Sequence, residues 1–165
     1  HLLDHDVSVA IVSGGLQKTA RDIAATFPSQ SPWTRRWGGI DRHTAKERCN
    51  GMDTLLHVFT NGWLMDAPLA EGGYGIGDFG RYQVQMDGKG AIVKMLQRRL
   101  DVSRDNTASV GDSMGDVGMF QESRCSILFN PWDDRPREHA SHVIEERDLV
   151  LVLEYICESF GLPKP

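Results

Sequence analysis

This sequence has few cysteines, no excess of positive charge and no long apolar run, and each shortage argues against a class of protein. Its three cysteines, Cys49, Cys125 and Cys157, are odd in number and far apart. That pattern is typical of reduced thiols rather than a disulfide framework, so it predicts a cytoplasmic location. No run of about 18 apolar residues is present, so we predict neither a membrane span nor membrane association. We also expect no secretory signal.

The charge balance gives no support to nucleic-acid binding. The 165 residues carry 18 Lys and Arg against 23 Asp and Glu, for a net charge of −5, and no basic stripe is visible. A nucleic-acid partner is therefore not predicted. Hydrophobic residues make up 40% and charged residues 25%, as in an ordinary globular protein. The length suffices for one domain with a sizeable core.

The most informative stretch is Ser109–Phe120. A short apolar run, Thr107–Val110, meets a glycine and then Asp112, and Asp116 follows four residues later at the start of a helical pattern. Open α/β sheets bind ligands at the carboxyl ends of their strands, and Mg²⁺ prefers a few carboxylate oxygens. These two acids therefore predict a cation site. The alternative is that they only cap a helix.

Two other stretches support the site interpretation. Val7–Ser13 predicts a strand that ends in a hydroxyl, and Gly14 and Gly15 follow it before a helical pattern begins. Glycines allow a backbone to approach an anion closely, and a helix N-terminus offers free N–H groups to a phosphate. Lys89 precedes the predicted helix Ala91–Leu100 and supplies a compact positive charge. Each feature alone is common, but the order of hydroxyl, lysine and paired acids is more specific.

Strands alternate with helices along the chain, which predicts an α/β fold with a mostly parallel sheet. The remaining predicted elements are helices at Gln17–Phe27, Arg135–Ala140 and Leu149–Phe160, strands at Leu55–Phe59, Arg124–Phe129 and His142–Ile144, and a β-hairpin within residues 63–86.

Three further patterns have a functional and a structural interpretation. The basic aromatic segment Trp33–Trp37 would contact an anionic ligand or partner, or, more commonly, pack arginines on indoles. His43, Cys49 and His57 lack the tight spacing of zinc ligands. Gly75–Gly80 matches a dinucleotide fingerprint by its letters, but it follows no clear strand and opens no helix, so we discard that interpretation.

Taken together, these motifs give the chain a family resemblance. It resembles the haloacid dehalogenase (HAD) superfamily of phosphatases, most closely the phosphoserine phosphatase-like branch. The matching stretches are Ile11–Gly15, Gly88–Gly90, Val110–Asp112, Asp116, Met119–Phe120 and Ile144–Leu149. The resemblance implies a Rossmann-like, mostly parallel, three-layer α/β core. It covers most of the chain except an insertion at about 28–55, as a single core domain over residues 1–165 that is incomplete at its N-terminus. We expect the cap domain, which this sequence does not contain, on a missing N-terminal segment.

The resemblance also implies an activity and a role for each site residue. It implies Mg²⁺-dependent hydrolysis of a small phosphorylated metabolite, similar to phosphoserine, through an aspartyl-phosphate. Asp112 would bind Mg²⁺ directly, and Asp116 would hold the metal's water or orient Lys89. Ser13 and the Gly14 N–H would bind the phosphate oxygens. Lys89 would offset negative charge on the nucleophile and the phosphoryl group.

The sequence departs from the family pattern at three places. Gly115 stands where the family usually has Asn, the 28–55 insertion is unfamiliar, and no nucleophile-bearing Asp-x-Asp strand is visible. Asp4 and Asp6 imitate that motif, but they are too close to Ser13, because parallel strands need a crossover of about a dozen residues. We therefore expect the nucleophile strand on a missing N-terminal segment, between the Val7 strand and the Thr107 strand. Without it, two unpaired sheet edges would remain in the core.

Two alternatives to hydrolysis remain open at this stage. One is a non-catalytic relative that kept a phosphate pocket as a regulatory or binding module. The other is a phosphotransferase that passes the phosphoryl group to an acceptor other than water. The sequence makes no prediction about oligomeric state.

Overall fold

The computed structural model describes residues 1, 2, 5, 7–16, 56–61, 84, 85 and 87–165. The chain divides into two compact units, residues 1–85 and 86–165. That all 165 residues form one core domain stays a prediction. Within the described ranges, no helix has the length and apolar character that crossing a membrane requires.

The first unit contains a two-stranded parallel sheet. Strand β1 (Val9–Leu16) pairs with β2 (Leu56–Asn61), and Ser13 lies opposite Thr60. The register shifts between Ser13 and Leu16. The prediction that the strand ends at Ser13 is therefore wrong by three residues, because the two glycines continue the extended backbone through an irregularity instead of turning.

The second unit is built on a three-stranded sheet in which every pairing is parallel. Its strands are β3 (Ala108–Gly111), β4 (Cys125–Phe129) and β5 (His142–Ile144), in that spatial order. Helices α1 (Lys89–Leu100), α2 (Val117–Gln121) and α3 (Leu149–Phe160) alternate with them. This arrangement confirms the predicted α/β class with a parallel sheet.

The core of this unit lies around β4, because a strand between two parallel neighbours is covered on both faces. Ile127 and Leu128 are fully buried, and so is Phe120 of α2. Helix α1 contributes Val93 and Leu96 to the buried set. The buried strand β4 thus anchors β3, and the loop that carries the site residues begins where β3 ends.

Helix α3 begins and ends where its sequence predicts. The Asp148 side chain accepts a hydrogen bond of 2.9 Å from the Val150 N–H, which is a conventional N-cap. Gly161 follows the last turn with φ of 66°, in the left-handed region that favours glycine. The buried residues Val152 and Ile156 recur at helical spacing.

Short 3₁₀ segments replace or precede α-helices at three positions, Arg104–Asn106, Met114–Asp116 and Arg135–His139. The last was predicted as a helix over Arg135–Ala140. Pro136 stands in its first turn and is buried. Since proline has no N–H and fixes φ, it favours a short, tight turn over a regular α-helix here.

Several predicted features lie outside the described residues. They are Asp4 and Asp6, the helix Gln17–Phe27, the segment Trp33–Trp37, the side chains of His43, Cys49 and His57, the 28–55 insertion, Gly75–Gly80 and most of the 63–86 hairpin.

Candidate active site

The site is built at the carboxyl end of β3. That strand ends at Gly111, opposite Leu128 of β4, and Asp112 follows immediately. A Cβ placed on Gly111 would lie 2.3 Å from the Cβ of Asp116. Because real atoms do not approach so closely, only glycine lets the chain fold back and bring Asp116 against the end of the strand.

The Asp116 carboxylate is the most heavily bonded group of the site. Its Oδ2 accepts hydrogen bonds from the Asp112 N–H at 2.9 Å, and from the Ser113 N–H and Ser113 hydroxyl at 3.1 Å each. Its Oδ1 accepts from the Lys89 Nζ at 2.6 Å. The side chain is only 3% exposed. A carboxylate buried to this degree persists because charge and hydrogen bonds compensate it.

These contacts decide the ionisation of Asp116. Burial alone would raise its pKa, since a low-dielectric environment disfavours the charged form. The hydrogen bond and the positive charge of Lys89 act in the opposite direction, with help from the Asp112 N–H and the Ser113 hydroxyl. The net effect lowers the pKa of Asp116 below its usual value, so the group is a carboxylate at neutral pH.

Lys89 reaches the site from the first residue of α1. Its side chain is 14% exposed, so the ion pair with Asp116 is largely shielded from solvent. The nearby pair between Lys94 and Glu122 has a lysine that is 55% exposed. The two lysines of α1 therefore differ in burial, and only Lys89 provides a shielded charge of the kind predicted for the site.

Asp112 has the opposite character to Asp116. Its side chain is exposed, and its carboxylate has no hydrogen bond or ion pair among the residues that the structure describes. An exposed, unpaired carboxylate at the carboxyl end of a parallel strand is available to a hard cation. Asp116 is not available in the same way, because both of its oxygens already accept hydrogen bonds.

The donor set fits Mg²⁺ in a limited sense. Within the described ranges, no group of three or more His, Cys, Asp or Glu side chains comes together as a metal cluster. Mg²⁺, however, is commonly held by one or two carboxylates together with substrate phosphate and waters. Asp112 would fit as a direct ligand, and Asp116 would fit the indirect role that the family resemblance implies.

Sequence reasoning missed two contributors to this geometry. Ser113 supplies two of the three donors to Oδ2 of Asp116. The signal was available, because a Ser three residues before an acid is a capping-box pattern. Gly118 of α2 contacts Gly90 of α1, and that contact depends on tertiary packing that no local pattern shows. Gly115, where the family usually has Asn, is buried within the Met114–Asp116 turn.

Ser13 and Gly14 lie in the first unit, near the end of β1. Lys89, Asp112 and Asp116 lie together in the second. A role for Ser13 and Gly14 in binding phosphate stays a prediction.

Comparison with known proteins identifies a family that part of the chain resembles. Residues 85–155, which contain Lys89, Asp112 and Asp116, match the profile of haloacid dehalogenase-like hydrolases. Residues 85–155, less than half of the chain, are thus similar to that family. No curated protein sequence matches the chain. This match bears out the predicted resemblance to the haloacid dehalogenase superfamily.

Solved HAD structures share the fold of the chain. A substrate-bound phosphoserine phosphatase has a TM-score of 0.65 and 23% identity, over 94% of this chain and 59% of its own. A phospho-aspartyl intermediate analogue of phosphoserine phosphatase has a TM-score of 0.64 and 24% identity, over 94% of this chain and 59% of its own. An HAD family hydrolase from Salmonella enterica serovar Typhi has a TM-score of 0.63 and 17% identity, over 92% of this chain and 42% of its own. The chain thus spans about three fifths of the phosphoserine phosphatases that it resembles, and the Rossmann-like HAD fold is confirmed.

Proposed function

We propose that the protein hydrolyses phosphomonoesters of small metabolites. The observation that carries this proposal is the buried ion pair of Lys89 and Asp116 beside the exposed, unpaired carboxylate of Asp112. A fixed positive charge next to a carboxylate that can bind a cation suits phosphoryl transfer. That reaction depends mainly on positioning and electrostatic stabilisation.

The residues of this chain have distinct tasks in the proposed reaction. Lys89 places its ammonium where negative charge gathers on the nucleophile and the phosphoryl oxygens. Asp116 holds that ammonium in place, and it stays ionised because its pKa is lowered. Ser13 and the Gly14 N–H bind the phosphate oxygens in this proposal.

The proposed cofactor is Mg²⁺, with Asp112 as its direct protein ligand and Asp116 acting through a water or through Lys89. When bound, the ion neutralises charge on the phosphate and orients it. Among the residues that the structure describes, none hydrogen-bonds to the Asp112 carboxylate, and this supports the assignment.

The nucleophile in this proposal is an aspartate upstream of His1. Its attack on phosphorus breaks the ester P–O bond, releases the alcohol and leaves an aspartyl-phosphate, which water then hydrolyses to inorganic phosphate. Two facts support an upstream source. The chain spans 59% of the phosphoserine phosphatase it resembles, and β3 has only β4 as a neighbour among the described residues.

A substrate similar to phosphoserine is the first to test, because two of the similar structures are phosphoserine phosphatases. The test is a panel of small phosphate esters given to the full-length protein, with Mg²⁺ or with EDTA, and phosphate release as the readout. We expect Mg²⁺-dependent release from at least one ester. If phosphate binds but no ester is cleaved, the protein is a binding module, and if phosphate appears on an organic acceptor instead, it is a phosphotransferase.

A further inference from the structure

Two glycines bring the backbones of helices α1 and α2 into direct contact. Gly90 is buried, and a Cβ added to it would lie 2.5 Å from the carbonyl oxygen of Gly118 and 2.9 Å from its carbonyl carbon. In the other direction, a Cβ on Gly118 would lie 3.2 Å from the Gly90 nitrogen. The obstacle is backbone in both cases, so a side chain at Gly90 requires the helices to move apart.

Neither glycine is required by its own backbone angle. Among the described glycines, only Gly161 has a positive φ. Glycine inside a helix costs about 1 kcal/mol relative to alanine, so two glycines at one helix contact need another explanation. The space between the helices supplies it, since alanine at Gly90 would fit the backbone conformation but not the gap.

The glycine contact lies next to the central ion pair of the site. Gly90 directly follows Lys89, and Gly118 comes two residues after Asp116. The 2.6 Å hydrogen bond from the Lys89 Nζ to Oδ1 of Asp116 therefore crosses between the helices beside the glycines. If the two helices move apart at Gly90 and Gly118, the distance between the Lys89 ammonium and the Asp116 carboxylate changes with them.

We propose that Gly90 and Gly118 are positioning residues whose close contact holds the Lys89 ammonium against Asp116 and so aims it at the reacting phosphoryl group. The catalytic meaning of this proposal rests on the proposed function. The positioning itself does not, and it is measurable without any substrate.

The first test measures how fast acetic anhydride modifies Lys89 in the metal-free, folded full-length protein, with the exposed Lys164 as internal reference and peptide mass spectrometry as readout. The variants are Gly90→Ala and the milder Gly118→Ala. The control is Ala91→Gly, which weakens α1 on its exposed side without touching the contact. We expect Lys89 modification to rise several-fold in Gly90→Ala, less in Gly118→Ala, and not at all in Ala91→Gly.

The result that overturns the positioning claim is unchanged Lys89 reactivity in both folded alanine variants. Loss of folding in Gly118→Ala also counts against it, because a 3.2 Å contact needs a shift of only a few tenths of an ångström. Gly118→Ala therefore keeps the test decisive even if Gly90→Ala fails to fold.

The second test measures kcat and KM of the same variants in the full-length protein. We expect kcat to fall by about 10²-fold in Gly90→Ala and by about tenfold or less in Gly118→Ala, with KM much less affected, because small misplacements of catalytic groups are costly. Raised Lys89 reactivity with an unchanged kcat would overturn the catalytic part. If the wild-type protein cleaves no ester, the proposed function fails, while the labelling result still decides the positioning.

Discussion

The Ser113 N–H and the Ser113 hydroxyl both donate to the same oxygen of Asp116, at 3.1 Å each. The other carboxylate oxygen of Asp116 accepts from Lys89. One carboxylate thus ties the turn after β3 to the first residue of α1. Asp116 acts on the geometry of the site through these contacts, whereas Asp112 remains exposed for a ligand.

Replacing Asp116 with asparagine should destabilise the second unit. The substitution removes the charged partner of a lysine that is only 14% exposed, and losing one member of a buried pair costs about 3–5 kcal/mol of unfolding free energy. We expect that loss for Asp116→Asn at pH 7 in urea unfolding with EDTA present. The exposed Asp105→Asn serves as control and should change stability by less than about 0.5 kcal/mol.

The contribution of Asp116 should also depend on pH. Its pKa is lowered in the folded protein, so the unfolded chain binds a proton more readily and acid favours unfolding. The stabilisation is complete above the ordinary carboxyl pKa of about 3.9 and is lost as pH falls through the lower folded value. The gap in stability between wild type and Asp116→Asn should therefore be constant from pH 7 to 5 and narrow below about pH 4. A gap that widens with acid would contradict the direction of the shift.

Asp112→Asn should abolish Mg²⁺-dependent hydrolysis in the full-length protein and leave the fold intact. The side chain is exposed and its carboxylate has no hydrogen bond among the described residues, so the amide disturbs no packing. It does remove the negative charge that would hold the cation. Activity across a Mg²⁺ titration, with thermal unfolding as the folding check, measures both. Asp101→Asn is a matched control, because φ of 54° at Asp101 suits asparagine equally well. Wild-type activity with unchanged Mg²⁺ dependence in Asp112→Asn would remove the metal assignment.

Lys89→Ala should lower kcat by about 10²-fold or more, as expected for the loss of one preorganised charge in a transition state. Lys94→Ala, on the same helix but 55% exposed, is the control and should leave kcat within about twofold of wild type, since exposed ion pairs contribute little. Steady-state kinetics on the best ester from the panel gives the comparison. Equal, small effects of the two substitutions would mean that Lys89 is an ordinary surface residue of α1.

The sequence was most informative where local rules decide the structure. Helix α3 was predicted to the residue, because Asp148 caps its start and Gly161 ends it. Strand β5 was also predicted over its full length. The segment at Arg135–His139 was predicted one residue too long and without its 3₁₀ form, since the effect of Pro136 on the turn outweighed the propensities of its neighbours.

The site followed a similar pattern. Lys89, Asp112 and Asp116 were chosen from their order in the sequence, and Lys89 and Asp116 do pair. It was only partly predictable that Asp116 is buried and hydrogen-bonded while Asp112 is exposed. Asp116 is saturated by Ser113 and Lys89 because Gly111 lets the chain fold back, and this depends on distances between residues that spacing alone does not give.

The last prediction concerns the source of the nucleophile. If an upstream strand carries it, residues 1–165 alone should show no phosphatase activity, and a chain extended upstream should regain it. Open edges of a parallel sheet leave backbone groups unpaired, and net stability of a domain is only about 5–15 kcal/mol, so the isolated chain should also unfold at a lower denaturant concentration than the extended chain.

The aspartyl-phosphate can be located by reacting both chains with an ester that the protein cleaves, quenching rapidly and analysing the peptides by mass spectrometry. We expect the adduct on an upstream aspartate of the extended chain, with its Lys89→Ala variant as a slow-turnover control. A cooperative unfolding transition of residues 1–165 together with an adduct on Asp4 or Asp6 would contradict the upstream assignment and place the nucleophile within this sequence.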